Sequence, residues 1–515
     1  MPAVSKIDSN VTGLRIAEEE SLKTLPVTPV WIPYEPNSYA DFGGQVSTIA
    51  REPIAADRQR KKGVITDLDA SGGFNNDLTQ TNMQELLQGF FFADLRRKGE
   101  QVVTAVDVDG GNPDEYEVAD TTGFIVNHLI KGKNFTNAAN NAVNKVTAIV
   151  SNTSVEVATG LLTAEASPPS DAEIVAVGYE FASGTLDVSV AGTFPRLVRA
   201  SGAVDFTTLG LIPGEWIFVG DDGAGQDFVT AANNGFKRVR SVAASYIELD
   251  KSASDMQAET GTGLTVRIFF GRVLKNETGT NIVRRTYQLE RELGVPDTDN
   301  PTDTQAEYLV GAVPNEAVFN INTADKITVD LSFVACDHET VDAATGVKSG
   351  TRPDVEESDA FNTSSDFSRI KLSVVSDDDE APSSLFAFVT DMTITINNNV
   401  SPNKAIGTLG AFDITAGMFM VSGEMTAYFA DVAAIAAVRA NSSVTLDMAI
   451  VKNNSGMCFD LPLIVLSDAR ANIEKDQPIK LPITSDAASG AGVLSTMNHT
   501  MLISFFDYLP DAADA

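Results

Sequence analysis

Apolar and polar residues alternate over Ile327-Thr-Val329-Asp-Leu331 and again over Ile479-Lys-Leu481-Pro-Ile483. This is the period of strands with one buried face. Val64 to Asp69 alternates as well, with Val64, Thr66 and Leu68 on one face and Ile65, Asp67 and Asp69 on the other. Two stretches have helical spacing instead. TNMQELLQGFFFADLRR, from Thr81, predicts a helix with Thr81 and Gln84 at capping-box spacing and Arg96 and Arg97 at its C-terminus. YFADVAAIAAVRAN, from Tyr428, predicts a second, with Asp431 near its N-terminal end and Arg439 near the other.

The order strand, long polar loop, strand, helix occurs twice, over residues 46–92 and 392–440. Val46-Ser-Thr-Ile-Ala matches Met392-Thr-Ile-Thr-Ile, and Asp67-Leu68-Asp-Ala70 matches Asp413-Ile414-Thr-Ala416. That offset of 346 slips to about 348 by the helix. Further on, Leu309–Val313 and Ile327–Leu331 match Leu461–Val465 and Ile479–Ile483 at an offset of 152. The chain therefore holds two related β-rich domains, the first interrupted after its helix. The interruption, roughly Glu100 to Lys275, has its own repeats. Leu129-Ile130-Lys-Gly132 pairs with Leu211-Ile212-Pro-Gly214, Ala138–Asn141 with Ala231–Asn234, Lys145-Val146 with Arg238-Val239, and Val155-Glu-Val157 with Ile247-Glu-Leu249. Short strands and Gly/Asn/Asp turns predict two small all-β domains, Ig-like or barrel, on the outside of their host. The predicted layout is a first β-rich domain over 1–99 and 276–345, with an N-terminal arm, inserted repeats over 100–190 and 191–275, a linker over 346–385, and a second such domain over 386–515.

Charge narrows the function. Across 515 residues, 70 acidic against 37 basic side chains leave a net charge of −33, so the long-range field repels phosphate and disfavours holding DNA or anionic membranes. The same repulsion suits a surface past which DNA must slide. The N-terminus lacks the apolar stretch of a signal peptide, and no apolar run reaches membrane-spanning length, so a soluble protein is expected. Cys336 and Cys458 are too few for a disulfide framework and are expected as buried thiols.

Catalytic chemistry lacks its residues. The three histidines, His128, His338 and His499, are far apart in sequence, and Cys336 with His338 has no second ligand pair. Counting from Asp297, a calcium loop would need Gly where Thr302 stands and Glu where Tyr308 stands. GDDGAG, from Gly220, lacks the Gly-Lys-Ser/Thr of a phosphate loop, and neither a Gly-x-Ser-x-Gly elbow nor an HExxH motif occurs. No enzyme, cofactor or metal is expected.

VTGLRIAEEESLKTLPVTPVWIPYEPNSYADFGGQVSTIAREPI with RQRKKGVITDLDASGGFNNDLTQTNMQELLQGFFFADLR resembles the major tail tube proteins of long-tailed, siphovirus-type bacteriophages. RTYQLERELG, from Arg285, and INNNVSPNKAIGTLGAFDITAGMFMVSGEMTAYFAD, from Ile396, extend the resemblance, which spans residues 11–97 and about 283–510. It implies a mainly β fold of duplicated tail-tube-type β-sandwich domains, each with a flanking helix and a long loop reaching the next ring. Inner strands would join across subunits into a barrel through which DNA leaves the capsid. The duplication favours three subunits in a pseudo-six-fold ring over six. The implied partners are the chain itself, tail terminator, tape-measure and distal tail proteins, and DNA in transit. The alternative, from the tandem inserted domains, is an adhesin binding host glycans.

Two residue sets follow. AREPIAADRQRKKGVITDLDASGG, from Ala50, gathers Arg51, Arg58, Arg60, Lys61 and Lys62, and the second copy keeps only Lys404 of this run. These six are expected as inter-ring contacts that offset acidic self-repulsion. Asp67, Asp69, Asp77, Asp413 and Glu424 are the candidate lumen carboxylates.

Overall fold

The computed structural model describes residues 7, 12–54, 56, 59–108, 110, 112–200, 204–250, 256–294, 305–342, 346–356, 358–374, 383–385, 388–429, 432–471 and 473–514. The protein is mainly β, with 50% of its residues in strands laid out in large antiparallel sheets. It divides into two compact units: Met1–Asp94, Glu277–Thr363 and Thr390–Met425 form one, and Leu95–Asn276, Ser364–Val389 and Thr426–Ala515 the other. In chain order, the elements that matter below are β1 (Pro36–Arg51), β2 (Lys61–Asp77), α1 (Gln84–Phe91), β3 (His128–Lys133), β4 (Trp216–Val219), β5 (Tyr287–Gly294), β6 (Gln305–Asn322), β7 (Thr328–Ala335), β8 (Val389–Asn397), α2 (Ala433–Ala440), β9 (Val444–Lys452), β10 (Ser455–Ala469), β11 (Lys480–Ala488) and β12 (Leu502–Phe506).

In the first unit β1 and β2 form a long antiparallel hairpin. The Ala70–Asp77 half of β2 pairs with β7, and β7 pairs with β6. β6 takes β5 along its first half and β8, Asp391–Asn397, along its second. Beneath them Phe74 stacks on Phe333 at 6.2 Å, and Phe90 from α1 meets Phe333 edge-on at 5.4 Å. α1 buries Leu86, Leu87, Phe90 and Phe91. The helix is shorter than its sequence pattern predicts. No side chain caps its start, and Thr81 Oγ1 instead lies 3.3 Å from Ser358 Oγ. At the other end Phe92 turns left-handed, so Arg96 and Arg97 fall beyond the helix. α2 ends the same way at Asn441 and does carry Arg439 in its last turn; Asp431 lies outside the described residues.

The second unit repeats the register of the first. Leu289, Glu290 and Arg291 pair with Leu309, Tyr308 and Glu307; Leu446, Asp447 and Met448 pair with Leu461, Asp460 and Phe459. Both ladders slip at the same place, between Tyr287 and Leu289 and between Val444 and Leu446. Val313 and Ala317 pair with Val334 and Leu331, while Val465 and Ala469 pair with Asp486 and Ile483, each with a bulge just after Pro314 or Leu466. A bulge is a specific backbone feature. Its recurrence at the 152-residue offset matches the repeat seen in the sequence.

Elsewhere the sequence alignment drifts. The Leu78 N–H donates to Ile327 O at 2.9 Å and the Phe429 N–H to Ile479 O at 3.0 Å, which sets an offset of 351 from Leu78 to Phe429. Asp413 is therefore not the counterpart of Asp67. Within the inserted region, Leu129 and Ile130 pair with Lys145 and Asn144 as Trp216 and Ile217 pair with Arg238 and Lys237. The counterpart of Leu129 is Trp216 rather than Leu211. The Ala138–Asn141 and Ala231–Asn234 match does hold in detail. Asn141 and Asn234 each bridge a Phe backbone, at Phe135 and Phe228, and Glu165 and Glu259 each accept backbone N–H groups from the turn before.

The inserted strands do not stand free of the second unit. Leu129, Val177, Trp216, Phe218, Phe236 and Phe269 share one apolar cluster with Ala449, Val451, Cys458, Phe506, Leu509 and Ala513. Buried ion pairs stitch the same boundary. Arg238, held by Asp250 of the insertion at 2.6 Å, reaches across that boundary to Asp460 at 3.1 Å, while Asp507 receives Arg272 and Lys133.

Candidate assembly surface

The β1–β2 hairpin splits into two halves with different environments. Phe74 and Ala70 are buried on the half that pairs with β7, as is Leu68 just before it. On the other half Val46, Ile49, Ile54, Val64 and Ile65 are all exposed, and Ile54 is fully so. A two-stranded arm is marginal alone, and clustered exposed β-branched residues are characteristic of interaction surfaces. The stretch following β8 in the same unit is similar, with Ile406, Leu409, Phe412, Met418 and Met420 exposed.

The face assignment of Val64–Asp69 changes in one respect. Ser47 pairs with Asp67 but Thr48 pairs with Ile65, so Thr66 is an extra residue on β2. The bulge breaks the alternation between Ile65 and Asp67. Asp67 and Asp69 stay on one face, opposite buried Leu68.

That face is partly neutralised. Lys404 Nζ donates to Asp67 Oδ2 at 2.5 Å and also to Asp69. The hydrogen bond from Lys404 holds the Asp67 carboxyl below the usual range, and the two carboxylates raise Lys404 in turn. Lys404, expected among the arm cations, is thus brought to two of the expected lumen carboxylates. Asp77 lies 2.7 Å from Lys326. Asp413 meets Arg284 at 3.0 Å, and the Ile414 N–H and then Arg284 lower its pKa. Glu424 is exposed on the strand Met420–Tyr428.

The cations cluster at the arm's end. Arg51 and Lys61 pair across the two strands, Lys62 is exposed beside them, and Arg60 meets Glu52 at 2.5 Å. Both members of that last pair are mostly exposed, so it contributes little to stability and leaves the charge available. Arg58 lies outside the described residues. Sequence reasoning found the charges of this arm and missed its exposed apolar side chains. The signal was there in Val46, Ile49, Val64 and Ile65, but alternation does not say which face is covered.

Among the described residues, this surface brings together no nucleophile, base and electrophile. The site is a surface of exposed apolar side chains flanked by cations. No curated protein matches the chain. A family model described as phage tail tube protein matches residues 9–487. With nearly the whole chain covered, this protein belongs to the phage tail tube protein family and is a structural component of the virion tail.

Proposed function

We propose that the chain assembles into stacked rings whose inner strands line a channel for DNA, three copies making a pseudo-six-fold ring. The observation that carries this reading is the β1–β2 arm, which exposes five β-branched residues in a chain of the tail tube family. The matching registers and bulges of β5–β6–β7 and β9–β10–β11 support two ring positions per chain. Arg51, Arg58, Arg60, Lys61 and Lys62 act at the contact between rings, where an acidic neighbour attracts them. Asp67, Asp69, Asp77, Asp413 and Glu424 contribute negative potential to the channel, which keeps DNA from adhering. Lys404 moderates their mutual repulsion. The inserted repeats lie on the outer face, and the tube meets terminator, tape-measure and distal tail proteins at its ends.

Negative-stain microscopy with light scattering tests this on the purified chain. Rings or tubes are expected, with masses in multiples of three subunits. A monodisperse monomer at every salt and concentration sinks the reading; multiples of six with no trimer step overturn the three-fold ring.

A further inference from the structure

In the first unit the second half of β6 is flanked on both sides, by β7 and by β8. Its repeat counterpart in the second unit is the end of β10 with the residues that follow. There β11 pairs on one side through Leu463–Ala469, while on the other β9 reaches only as far as Ile464, and among the described residues no ladder continues beyond it. The exposure of matched residues registers the difference. Ile321, opposite Met392 of β8, is 7% exposed, whereas Ile473, 152 residues on, is 74% exposed. β1 is the repeat counterpart of β8. It pairs with β2 on one side, and among the described residues no ladder forms on its other side.

We infer that β1 of a second copy of this chain adds to the open edge of β10, reproducing between chains the β8–β6 pairing already made within one. This rests on the ring reading above and adds the edge and the register. The register comes from two contacts. Gly417, which stands at the Thr66 position by the 351-residue offset, donates its N–H to Asn398 O, and Thr66 Oγ1 donates to Ser47 O. Asn398 and Ser47 therefore correspond. The Asn398 N–H donates to Asn315 O at 2.8 Å, and Asn315 corresponds to Ser467, the bulged residue of β10. Ser47 of one chain then lies opposite Ser467 of the next, and Val46 opposite Asp468, running antiparallel. Such pairing covers two sheet edges that would otherwise invite unspecific association. It also covers Val46 and Ile473.

The test is disulfide trapping in the full chain. Facing residues on antiparallel strands sit within disulfide reach, and native Cys336 and Cys458 are buried, so they give little background. Val46→Cys with Asp468→Cys, assembled and then oxidised, should give a ladder of covalent oligomers on a non-reducing gel, while either single variant gives none. Val46→Cys with Ile473→Cys places the pair in the register of the unshifted 346-residue alignment. Cross-linking there in place of the first pair overturns the register proposed. Hydrogen exchange on the unaltered protein gives a second readout. Amides of 44–48 and of 466–471 should slow together, at least about tenfold, on going from monomer to ring. Rings that form with neither cross-link nor joint protection overturn the inference and leave the ring reading standing. A failure to form rings at all removes both.

Discussion

Replacing Arg272 by Met perturbs the charge cluster that fastens the inserted region to the C-terminal strands. Asp507 is buried, and burial alone would push its carboxyl up; Arg272 and Lys133 outweigh that and leave it below the usual aspartate range. Arg272 Nε donates to Asp507 Oδ2 at 3.0 Å with a second bond from its Nη2, and Lys133 Nζ stands 3.3 Å away. Met fills much of the volume of Arg but carries no charge. Breaking a buried pair by removing one partner costs roughly 3–5 kcal/mol, and the remaining Lys133 places this case at the lower end, about 3 kcal/mol at pH 7. The sign with pH follows from linkage. A carboxyl depressed in the folded state contributes stability above its unfolded pKa, and that contribution is lost as pH falls through the folded value. The gap between Arg272→Met and the parent should therefore be full at pH 7 and close below about pH 4. Urea unfolding of unassembled protein measures it, with Trp216 fluorescence reporting this unit, since Trp216 sits in the shared apolar cluster. A loss under about 1 kcal/mol at pH 7, or a loss that persists unchanged to pH 3, refutes the account.

Reversing Arg60 and Lys61 to Glu should stop tube growth while leaving the circular dichroism and melting midpoint of the monomer unchanged; normal tubes would show the arm cations to be dispensable. Lys404→Met should expose the 398–417 loop to protease severalfold faster without unfolding the unit, because it removes the group that bridges Asp67 and Asp69; an unchanged cleavage rate counts against that bridge. Burial pulls His128 down to about 4, so the unfolded chain gains a proton there first as pH falls below about 6.5. Stability should drop by about 2 kcal/mol between pH 7 and pH 5 on this account, and His128→Leu should remove most of that slope in urea titrations. An isolated 100–275 fragment bares the face of Leu129, Trp216, Phe218 and Phe269 and should bind a hydrophobic dye and aggregate; a clean, dye-silent monomer would mean that the shared cluster is not needed.

The alternating apolar pattern determined the β class, and the strand repeat at an offset of 152 was legible because buried strands tolerate few substitutions in period or length. Both helices were legible as apolar clusters, though not their ends: the left-handed turns at Phe92 and Asn441 depend on what the following residues pack against. Loops carry no periodic restraint, so sequence matching slipped across them, from an offset of 351 to 346 and from Trp216 to Leu211. Only the tertiary hydrogen bonds of Leu78 and Phe429 reset it. The charges of the arm and of Asp67 and Asp69 could be read as residue types. That Lys404 joins two of them, 337 and 335 residues away, could not, because contact at such separation is created by the fold alone. The inserted repeats are the sharpest case. Their sequence suggests self-contained β domains, yet Trp216 and Phe236 are buried against Cys458 and Phe506. Alternation gives every strand two faces, and only the packed structure decides which one meets a neighbour, which meets water, and which is left for another copy of the chain.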